Sequence, residues 1–522
     1  MKFEFVSDPQ ISVKIDQMQR RVRWQESLFK EEAIAQTKLV IDEKDTDNPQ
    51  FSFLVIGDSG CGSHLKHHPQ RKITEMMLEH QQSRFILHMG DVVYQVGSSE
   101  YYHNNFINPY KEFLVGGENP QHLKYDDLTF KLPFFPVPGN HDYYDLSLVY
   151  GILFQATWLP RRLLRGRLDL DVGWHGSEQG NAYARAFLDY LLDIKGTVNL
   201  KQHLDNYYTA KHQGDRCLNY QPGKFTRLPN RYYTFRYGGI DFFALDSNTF
   251  NEPLVIPDTE AGKNKRVKLL ERQRELAKRE EAIQAAMDKL DPNNYEDAEQ
   301  IDDYYAKLEY TAESQRDIEK QLNQVQQATD WEQLDWFRDS LIASWQDESV
   351  RGRIVFFHHP PYVTEATKWN QGQTIAIRDR LRQVFDNVVK DIGELPPGRS
   401  VVNLVLSGHA HCMEHLYTKD TGYADSYTDW IVCGGSGHSL RRQRREGAVL
   451  FQDGDLDSKP IGQSQLFIGR HGKGRNTKRP YSFLRIDVQA GEQPEFVVNP
   501  YVAQWHQRQW HEYAEKPFVI DQ

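Results

Sequence analysis

The sequence predicts an α/β fold in which a β-sheet presents functional residues at the carboxyl ends of its strands. Short apolar runs recur along the chain and are bounded by turn residues, as buried strands are. Five of these runs are followed at once by Asp, Asn or His side chains, with glycine or proline beside them. In open α/β sheets ligands bind in the loops after the strands, so this repeated order predicts one site at one edge of the sheet.

Composition and charge narrow the class of protein. The 522 residues are 39% hydrophobic and 12% aromatic, which supports a sizeable core in one large domain with insertions or in two domains. With 63 basic and 73 acidic side chains the net charge is −10, so general binding to nucleic acid is not expected. The sequence has no signal-peptide pattern, no apolar stretch of membrane-spanning length and only four cysteines, so we expect a reduced, cytoplasmic protein without membrane contact.

The strands can be assigned in chain order. Residues 1–50 form a charged amino-terminal extension that looks helical around Gln17–Lys38 and carries no recognisable chemistry. The runs that precede polar segments predict strands at Phe53–Ile56, Phe85–Leu87, Phe134–Val137, Ile354–Phe357 and Leu404–Leu406. Tyr232–Phe235 and Ile240–Leu245 predict two strands joined by a turn, and Phe483–Val488 predicts a final strand.

Residues 263–328 have a different composition, dense in Glu, Lys, Arg, Gln and Ala. Two rows of residues recur there every seven positions: Leu269, Leu276, Ile283 and Leu290, then Tyr304, Thr311, Ile318 and Val325. With Asp291–Asn294 as a turn between them, the rows predict an antiparallel helical coiled-coil hairpin inserted into the surrounding domain. The charged residues of this hairpin either form a solvated face or provide a surface for a protein partner or for self-association. The sequence leaves these alternatives open.

Five polar segments carry side chains suited to metal chemistry. They are Gly57-Asp58-Ser59-Gly60, Gly90-Asp91-Val92-Val93-Tyr94, Gly139-Asn140-His141-Asp142, His358-His359-Pro360-Pro361-Tyr362 and Gly408-His409-Ala410-His411. Carboxylate and imidazole suit Fe, Mn and Zn, and two such ions about 3.5–4 Å apart can share a carboxylate and clamp a phosphate. Each segment alone is weak, since Gly-Asp is commonly a turn. Together, in this order and each after a predicted strand, they indicate one metal site.

The set and order of these segments resemble the calcineurin-like metallophosphoesterases and, within them, the purple acid phosphatases. The resemblance covers the motif-bearing parts of 51–250 and 329–440. The superfamily usually opens with Asp-x-His, whereas Gly60 stands at the His position here. Tyr94 follows Asp91 by three residues, where the purple acid phosphatases place a phenolate ligand, and this pairing favours that subgroup.

The resemblance implies a four-layer αββα sandwich of two mixed β-sheets, formed by a catalytic domain over 51–522 that the hairpin at 263–328 interrupts. It also implies two metal ions, with Fe paired with Fe, Zn or Mn. One ion would be held by Asp58, Asp91, Tyr94 and His411, and the other by Asp91, Asn140, His358 and His409, with Asp91 shared. His358 is taken as the ligand rather than His359 because the family spacing to the following Pro and Tyr fits it.

The activity that the resemblance implies is hydrolysis of a small-molecule phosphate ester, most simply a monoester. A hydroxide shared by the two ions would attack phosphorus in line, His141 would stabilise the transition state or protonate the leaving group, and Asp142 would orient His141. A phosphodiesterase or nucleotide hydrolase with the same centre is the alternative, decided by pocket walls from 95–130 and 143–230. A non-catalytic scaffold that uses the helical hairpin is the alternative of another class.

Overall fold

The computed structural model describes residues 6–521 except 45, 63–66, 147–175, 213, 292–293, 326, 394, 453–457 and 474–475. Residues 147–175, part of the expected pocket wall, therefore lie outside the described residues. The strands are β1 Val6–Ser7, β2 Ile34–Ile41, β3 Phe51–Ile56, β4 Ile86–His88, β5 Phe134–Pro136, β6 Asp145–Leu146, β7 Ala210–His212, β8 Asp215–Tyr220, β9 Tyr233–Tyr237, β10 Ile240–Ala244, β11 Gly352–Phe356, β12 Leu404–Ser407, β13 Met413–Thr418, β14 Asp429–Cys433, β15 Val449–Phe451, β16 Pro460–Ile468, β17 Arg479–Val488, β18 Glu495–His506, β19 Gln509–Ala514 and β20 Phe518–Asp521. The α-helices are α1 Ile11–Arg21, α2 Ser27–Glu31, α3 Pro69–Met77, α4 Ser99–Tyr102, α5 Asn140–Tyr143, α6 Asn181–Phe187, α7 Thr197–Tyr207, α8 Glu260–Met287, α9 Tyr295–Asn323, α10 Trp331–Gln346 and α11 Gly372–Ile392.

Most of these strands form two mixed sheets. The first has the order β15-β16-β13-β14-β12-β11-β10-β9-β2-β8-β7, and the second has the order β19-β18-β17-β3-β4-β5, with β20 beside β18. Parallel pairs join β10, β11, β12 and β14 in the first sheet. Parallel pairs also join β3, β4 and β5 in the second. The predicted α/β class with two mixed sheets is confirmed.

The two sheets pack against each other through aromatic rings of the predicted strands. Phe53 in β3 meets Phe242 in β10 edge to face, with ring centroids 5.5 Å apart. Phe135 in β5 stacks on Phe235 in β9 at 4.4 Å. All four rings are buried, so the apolar runs that mark the strands in the sequence also form the core between the sheets.

The amino-terminal residues are built into the first sheet. Helix α1 ends at Arg21, and β2 lies between β8 and β9. The helical expectation for Gln17–Lys38 is therefore wrong from residue 34 onward. The run Ile34–Ile41 contains several β-branched residues and alternates between buried and half-buried positions over most of its length, which suits a strand with one face on the core.

Two long helices, α8 and α9, occupy most of 260–323 and lie against each other in antiparallel orientation. Arg266 near the start of α8 donates to the carbonyl of Leu322 near the end of α9 at 3.1 Å, and Gln315 donates to Glu280 at 3.1 Å. The heptad rows are buried in part: Leu276, Ile283, Thr311 and Ile318 are buried, whereas Val325 lies beyond α9 and is exposed. None of the described helices is both long and apolar enough to cross a lipid bilayer.

Candidate metal centre

Both sheets contribute to one site at the carboxyl ends of their parallel strands. In the second sheet, Asp58 follows β3, Asp91 and Tyr94 follow β4, and Asn140 follows β5. In the first sheet, His358 follows β11, and His409 and His411 follow β12. The packing of the sheets thus joins two half-sites, and every predicted metal ligand lies in this region and is buried.

One group of ligand atoms surrounds the Tyr94 hydroxyl. That oxygen lies 3.0 Å from Asp58 Oδ1, 2.7 Å from Asp91 Oδ2 and 3.2 Å from His411 Nε2. Asp58 Oδ1 and His411 Nε2 are 3.5 Å apart. Atoms in neighbouring coordination positions about 2.1 Å from one ion lie about 3 Å from each other, so this group fits a single metal ion.

A second group shares Asp91 with the first. His358 Nε2 lies 3.4 Å from Asp91 Oδ2 and 2.9 Å from Asn140 Oδ1, which again is the spacing of ligands around one ion. His358 Nδ1 donates to the carbonyl of Met89 at 2.7 Å, and this bond directs Nε2 at the site. One ring nitrogen from each of His358, His359 and His409 also lies within 4.8 Å of the other two. The two groups fit a dinuclear centre with Asp91 between them.

His359 sits beside the second group with both ring nitrogens already engaged. Nδ1 lies 2.8 Å from the Ser247 hydroxyl, and Nε2 lies 3.2 Å from the side-chain amide of Asn251. Burial, and next the neighbouring His358, keep the pKa of His359 well below its usual value. These partners agree with a structural role for His359.

His409 has partners that the sequence did not indicate. Its backbone N–H donates to Asp58 Oδ2 at 2.8 Å, which ties the two half-sites together. Its ring nitrogen Nε2 lies 2.9 Å from Lys368 Nζ and 2.8 Å from Gln373 Nε2. Lys368 is itself paired with Glu313 of helix α9. Through Lys368, the paired helices α8 and α9 are therefore connected to His409, a predicted metal ligand.

Several of the predicted ligands have an unusual backbone conformation. Asp58, Asp91, His409 and His411 have φ values of 52°, 53°, 66° and 44°. The left-handed region is uncommon for residues other than glycine, and such strain concentrates at active sites and ligand clamps. The surrounding structure holds these four backbones where the side chains converge.

Gly139 allows the closest backbone approach in the site. A Cβ at this position would lie 2.2 Å from Asp91 N and 2.2 Å from Asp91 Oδ1, so no larger residue fits without displacing Asp91. The glycine that precedes Asn140 in the sequence motif is therefore required by the close packing of the two loops that carry Asp91 and Asn140.

Burial and neighbouring charges shift the pKa values of the side chains at the site. Burial raises the pKa of Asp58 to about 7, and the nearby carboxylate of Asp91 acts in the same direction. Burial, together with Asp58 and Asp91, holds the pKa of the Tyr94 phenol well above its usual range. Burial opposes protonation of His358, but Asp91 outweighs it and raises the pKa of His358 to about 9. A bound cation would instead favour the anionic forms of these oxygens, as in a metal site.

His141 lies at the solvent side of the first group. Its backbone N–H donates to Asp91 Oδ1 at 2.8 Å, and its ring Nδ1 is hydrogen-bonded to the carbonyl of Gln95. The role of Asp142 in orienting this ring stays a prediction, and the structure gives its carboxylate other partners. Its buried carboxylate accepts the backbone N–H of Gly139 at 2.8 Å and that of Val92 at 3.1 Å, because the short helix α5 turns it inward. Asp142 therefore fixes the loops that carry the ligands, and Gln95 fixes His141.

His438 is a site residue that the sequence analysis missed. Its ring stacks on Tyr94 with centroids 4.0 Å apart and lies 4.8 Å from the ring of His411. His141 contacts the same tyrosine at 4.4 Å, so the two half-buried histidines flank Tyr94. The signal was present: His438 follows β14 and a glycine-rich run, the same strand-then-ligand order as the other segments.

Comparisons with known proteins find solved structures that align with the chain at low sequence identity and low TM-score. No protein-family model and no curated protein matches the chain. A solved structure described as GAP50, the anchor in the inner membrane complex of Plasmodium, aligns over 90% of this chain and 88% of its own at 13% identity, with a TM-score of 0.37. A structure of PhoD aligns over 91% of this chain and 71% of its own at 12% identity, with a TM-score of 0.39. By the order of its motifs and the convergence of the predicted ligands, the chain resembles the calcineurin-like metallophosphoesterases and, within them, the purple acid phosphatase-like members.

Proposed function

We propose that the chain is a dinuclear metal-dependent phosphoesterase that hydrolyses small-molecule phosphate esters. The observation that carries the proposal is the position of Asp91. Its carboxylate Oδ2 lies 2.7 Å from the Tyr94 oxygen of one ligand group and 3.4 Å from His358 Nε2 of the other. A carboxylate between two oxygen- and imidazole-rich groups suits a pair of Fe, Mn or Zn ions, and Tyr94 as a ligand favours Fe in the first position.

The side chains of the site divide the work of such a reaction. When bound, the two ions would neutralise phosphate charge and activate water as the nucleophile. Asp91 would contact both metal positions, and Asn140 would help to hold the second. His141 and His438 flank Tyr94 and are half-buried, whereas the predicted ligands are buried, so a substrate phosphate would approach beside these two histidines. Because Nδ1 of His141 is bonded to a carbonyl, Nε2 is the nitrogen through which this ring would exchange a proton with the leaving oxygen.

The activity is tested with an aryl phosphate monoester and the matching diester. Protein stripped of metal is reconstituted separately with Fe, Mn and Zn, and Asp91→Asn is assayed beside wild type. We expect turnover that requires metal and is lost in Asp91→Asn, because the substitution weakens both metal positions. Asp335→Asn is the matched control, since Asp335 is exposed and pairs with Arg338 on the surface of α10. The monoester-to-diester ratio distinguishes a phosphatase from a phosphodiesterase.

The scaffold alternative gives a different result in the same experiment. If both metal positions fill and neither ester is hydrolysed, the site binds ions without this chemistry. The exposed faces of α8 and α9 would then be tested for a protein partner or for self-association. Hydrolysis that survives Asp91→Asn at the wild-type rate would contradict the proposed centre itself.

A further inference from the structure

Lys368 occupies an unusual position for a residue beside a predicted metal ligand. It lies in the segment between β11 and α11, and its side chain is buried, with 3% exposed. The ammonium contacts His409 Nε2 at 2.9 Å and forms an ion pair with Glu313. The charge of a buried lysine requires a compensating charge nearby, and the carboxylate of Glu313 in α9 supplies it.

Glu313 is in turn fixed by its surroundings. Its Oε1 also accepts from the side-chain amide of Gln371 at 3.2 Å and lies 3.6 Å from His409 Nε2. One turn further along α9, Asp317 accepts the backbone N–H of Gly372 at 3.1 Å. The carboxyl-terminal half of α9 is therefore anchored to the start of α11, and this anchoring keeps Glu313 and Lys368 beside the site.

This arrangement is the reverse of the usual environment of a metal-binding histidine. Such a ring normally binds the ion through one nitrogen and donates the N–H of the other to a carboxylate or a carbonyl. A lysine ammonium has donors only. It therefore uses the lone pair of His409 Nε2, which Gln373 Nε2 also approaches at 2.8 Å, and leaves the ring proton on Nδ1, so that neither nitrogen is available to an ion.

We propose that Lys368, held in place by Glu313 of helix α9, withholds His409 from the second metal position. The chain would then bind one ion tightly through Asp58, Asp91, Tyr94 and His411 and a second ion only weakly. This inference rests on the metal centre of the proposed function and adds that the paired helices set the affinity of its second position. Loading of the second ion requires the ammonium to leave His409, after which Glu313 is placed to accept the Nε2–H.

The test measures the binding of Mn²⁺ to metal-free protein. Isothermal titration calorimetry gives the affinities, and electron paramagnetic resonance distinguishes free from spin-coupled Mn²⁺. In wild type we expect one tight binding step and a second, weaker one. Lys368→Met should strengthen the second step by about 10–100-fold, the usual effect of changing the outer partner of a metal-bound histidine. The spin-coupled signal should appear at lower Mn²⁺ concentration in the variant.

Two further variants make the result specific. Lys368→Met/Glu313→Gln removes both charges, so it guards against misfolding caused by an unpaired buried carboxylate and should show the same gain. Lys390→Met is the matched control, because it makes the same substitution at an exposed lysine in α11. This variant should bind Mn²⁺ with the same affinities as wild type.

The outcomes separate this inference from the proposed function. Two equal tight steps in wild type, or a second step that neither Lys368 variant changes, would overturn the role of Lys368 and leave the metal centre intact. No Mn²⁺ binding by wild type or by any folded variant would overturn the metal centre and this inference with it.

Discussion

Individual residues at the site are held against their own conformational preferences. Asp58 and Asp91 have backbones in the left-handed region. Gly139 lies so close to Asp91 that a Cβ at this position would overlap with it. A folded protein keeps such features where neighbouring contacts over-determine the backbone. Substitutions here should therefore affect metal binding and turnover more than global stability.

His141→Ala separates a catalytic role from a ligand role. We expect kcat to fall by about 10²–10⁴-fold, the range for loss of a general acid or base, while the content of bound metal stays at the wild-type value. The ring contacts Tyr94 and Gln95 but is not among the predicted metal ligands. Metal content is measured by mass spectrometry of the reconstituted protein and turnover by aryl phosphate hydrolysis. A parallel loss of metal and activity would make His141 part of the binding shell.

Gly139→Ala tests the close packing of the two ligand loops. The added methyl group would displace Asp91, so we expect the tight Mn²⁺ step to weaken by about tenfold or more, as for a lost supporting contact. Gly214→Ala is the control: its Cβ would meet nothing within 4 Å, although its φ of 87° makes alanine strained. That variant should lose about 1 kcal/mol of stability and keep its Mn²⁺ affinity. Equal metal affinities in both variants would contradict the prediction.

At the scale of elements, one buried ion-pair cluster joins the start of β9, the loop after β10 and the beginning of α10. Arg231 Nη1 lies 3.3 Å from Asp246 Oδ2, and Nη2 lies 2.5 Å from Asp330 Oδ2. Asp330 is also the residue that caps α10, since its side chain accepts from Gln333 N. Burial opposes the charge of Arg231, but the two carboxylates outweigh it and raise the pKa of the guanidinium.

Arg231→Met should destabilise the fold strongly. Removing the cation leaves two buried carboxylates without compensation, and breaking such a cluster costs about 3–5 kcal/mol of unfolding free energy. Arg338→Met, which breaks an exposed pair with Asp335 on α10, should cost less than about 1 kcal/mol. Urea unfolding, monitored by circular dichroism, measures the unfolding free energy of both variants. A difference between the variants of less than the experimental error would refute the role of the buried cluster.

At the scale of the whole molecule, charged side chains connect segments that are far apart in sequence. Asp8 near the amino terminus pairs with Lys14 of α1 at 2.6 Å and with Lys320 of α9. Burial opposes ionisation of Asp8, but the two lysines outweigh it and hold its pKa well below the usual value. The paired helices are thus tied both to the amino-terminal segment, through Asp8, and to the candidate metal centre, through Glu313.

Asp8→Asn should reduce stability by an amount that depends on pH. Since the pKa of Asp8 is lowered on folding, its contribution is complete well above the unfolded value of about 3.9 and decreases as pH falls below it. We expect the difference in unfolding free energy between wild type and Asp8→Asn to be about 3 kcal/mol at pH 7 and 5 and smaller at pH 3. Urea titrations at these three pH values provide the measurement. Asp339→Asn, which changes an exposed carboxylate, should show no comparable difference, and a constant deficit for Asp8→Asn down to pH 3 would refute the assignment.

The sequence by itself determined the α/β class and which side chains converge at one edge of the sheets; that they bind metal stays a prediction. Apolar runs become buried strands for local reasons, and the polar residues after them must meet at the edge of a parallel sheet. It could not determine the contact of Glu313 with Lys368, the partners of Asp142 or the place of β2 in the sheet. Those depend on how elements separated by tens or hundreds of residues pack, and a side chain such as Lys368 has no local signature of that packing. Only the tertiary structure brings a charge from the paired helices to His409.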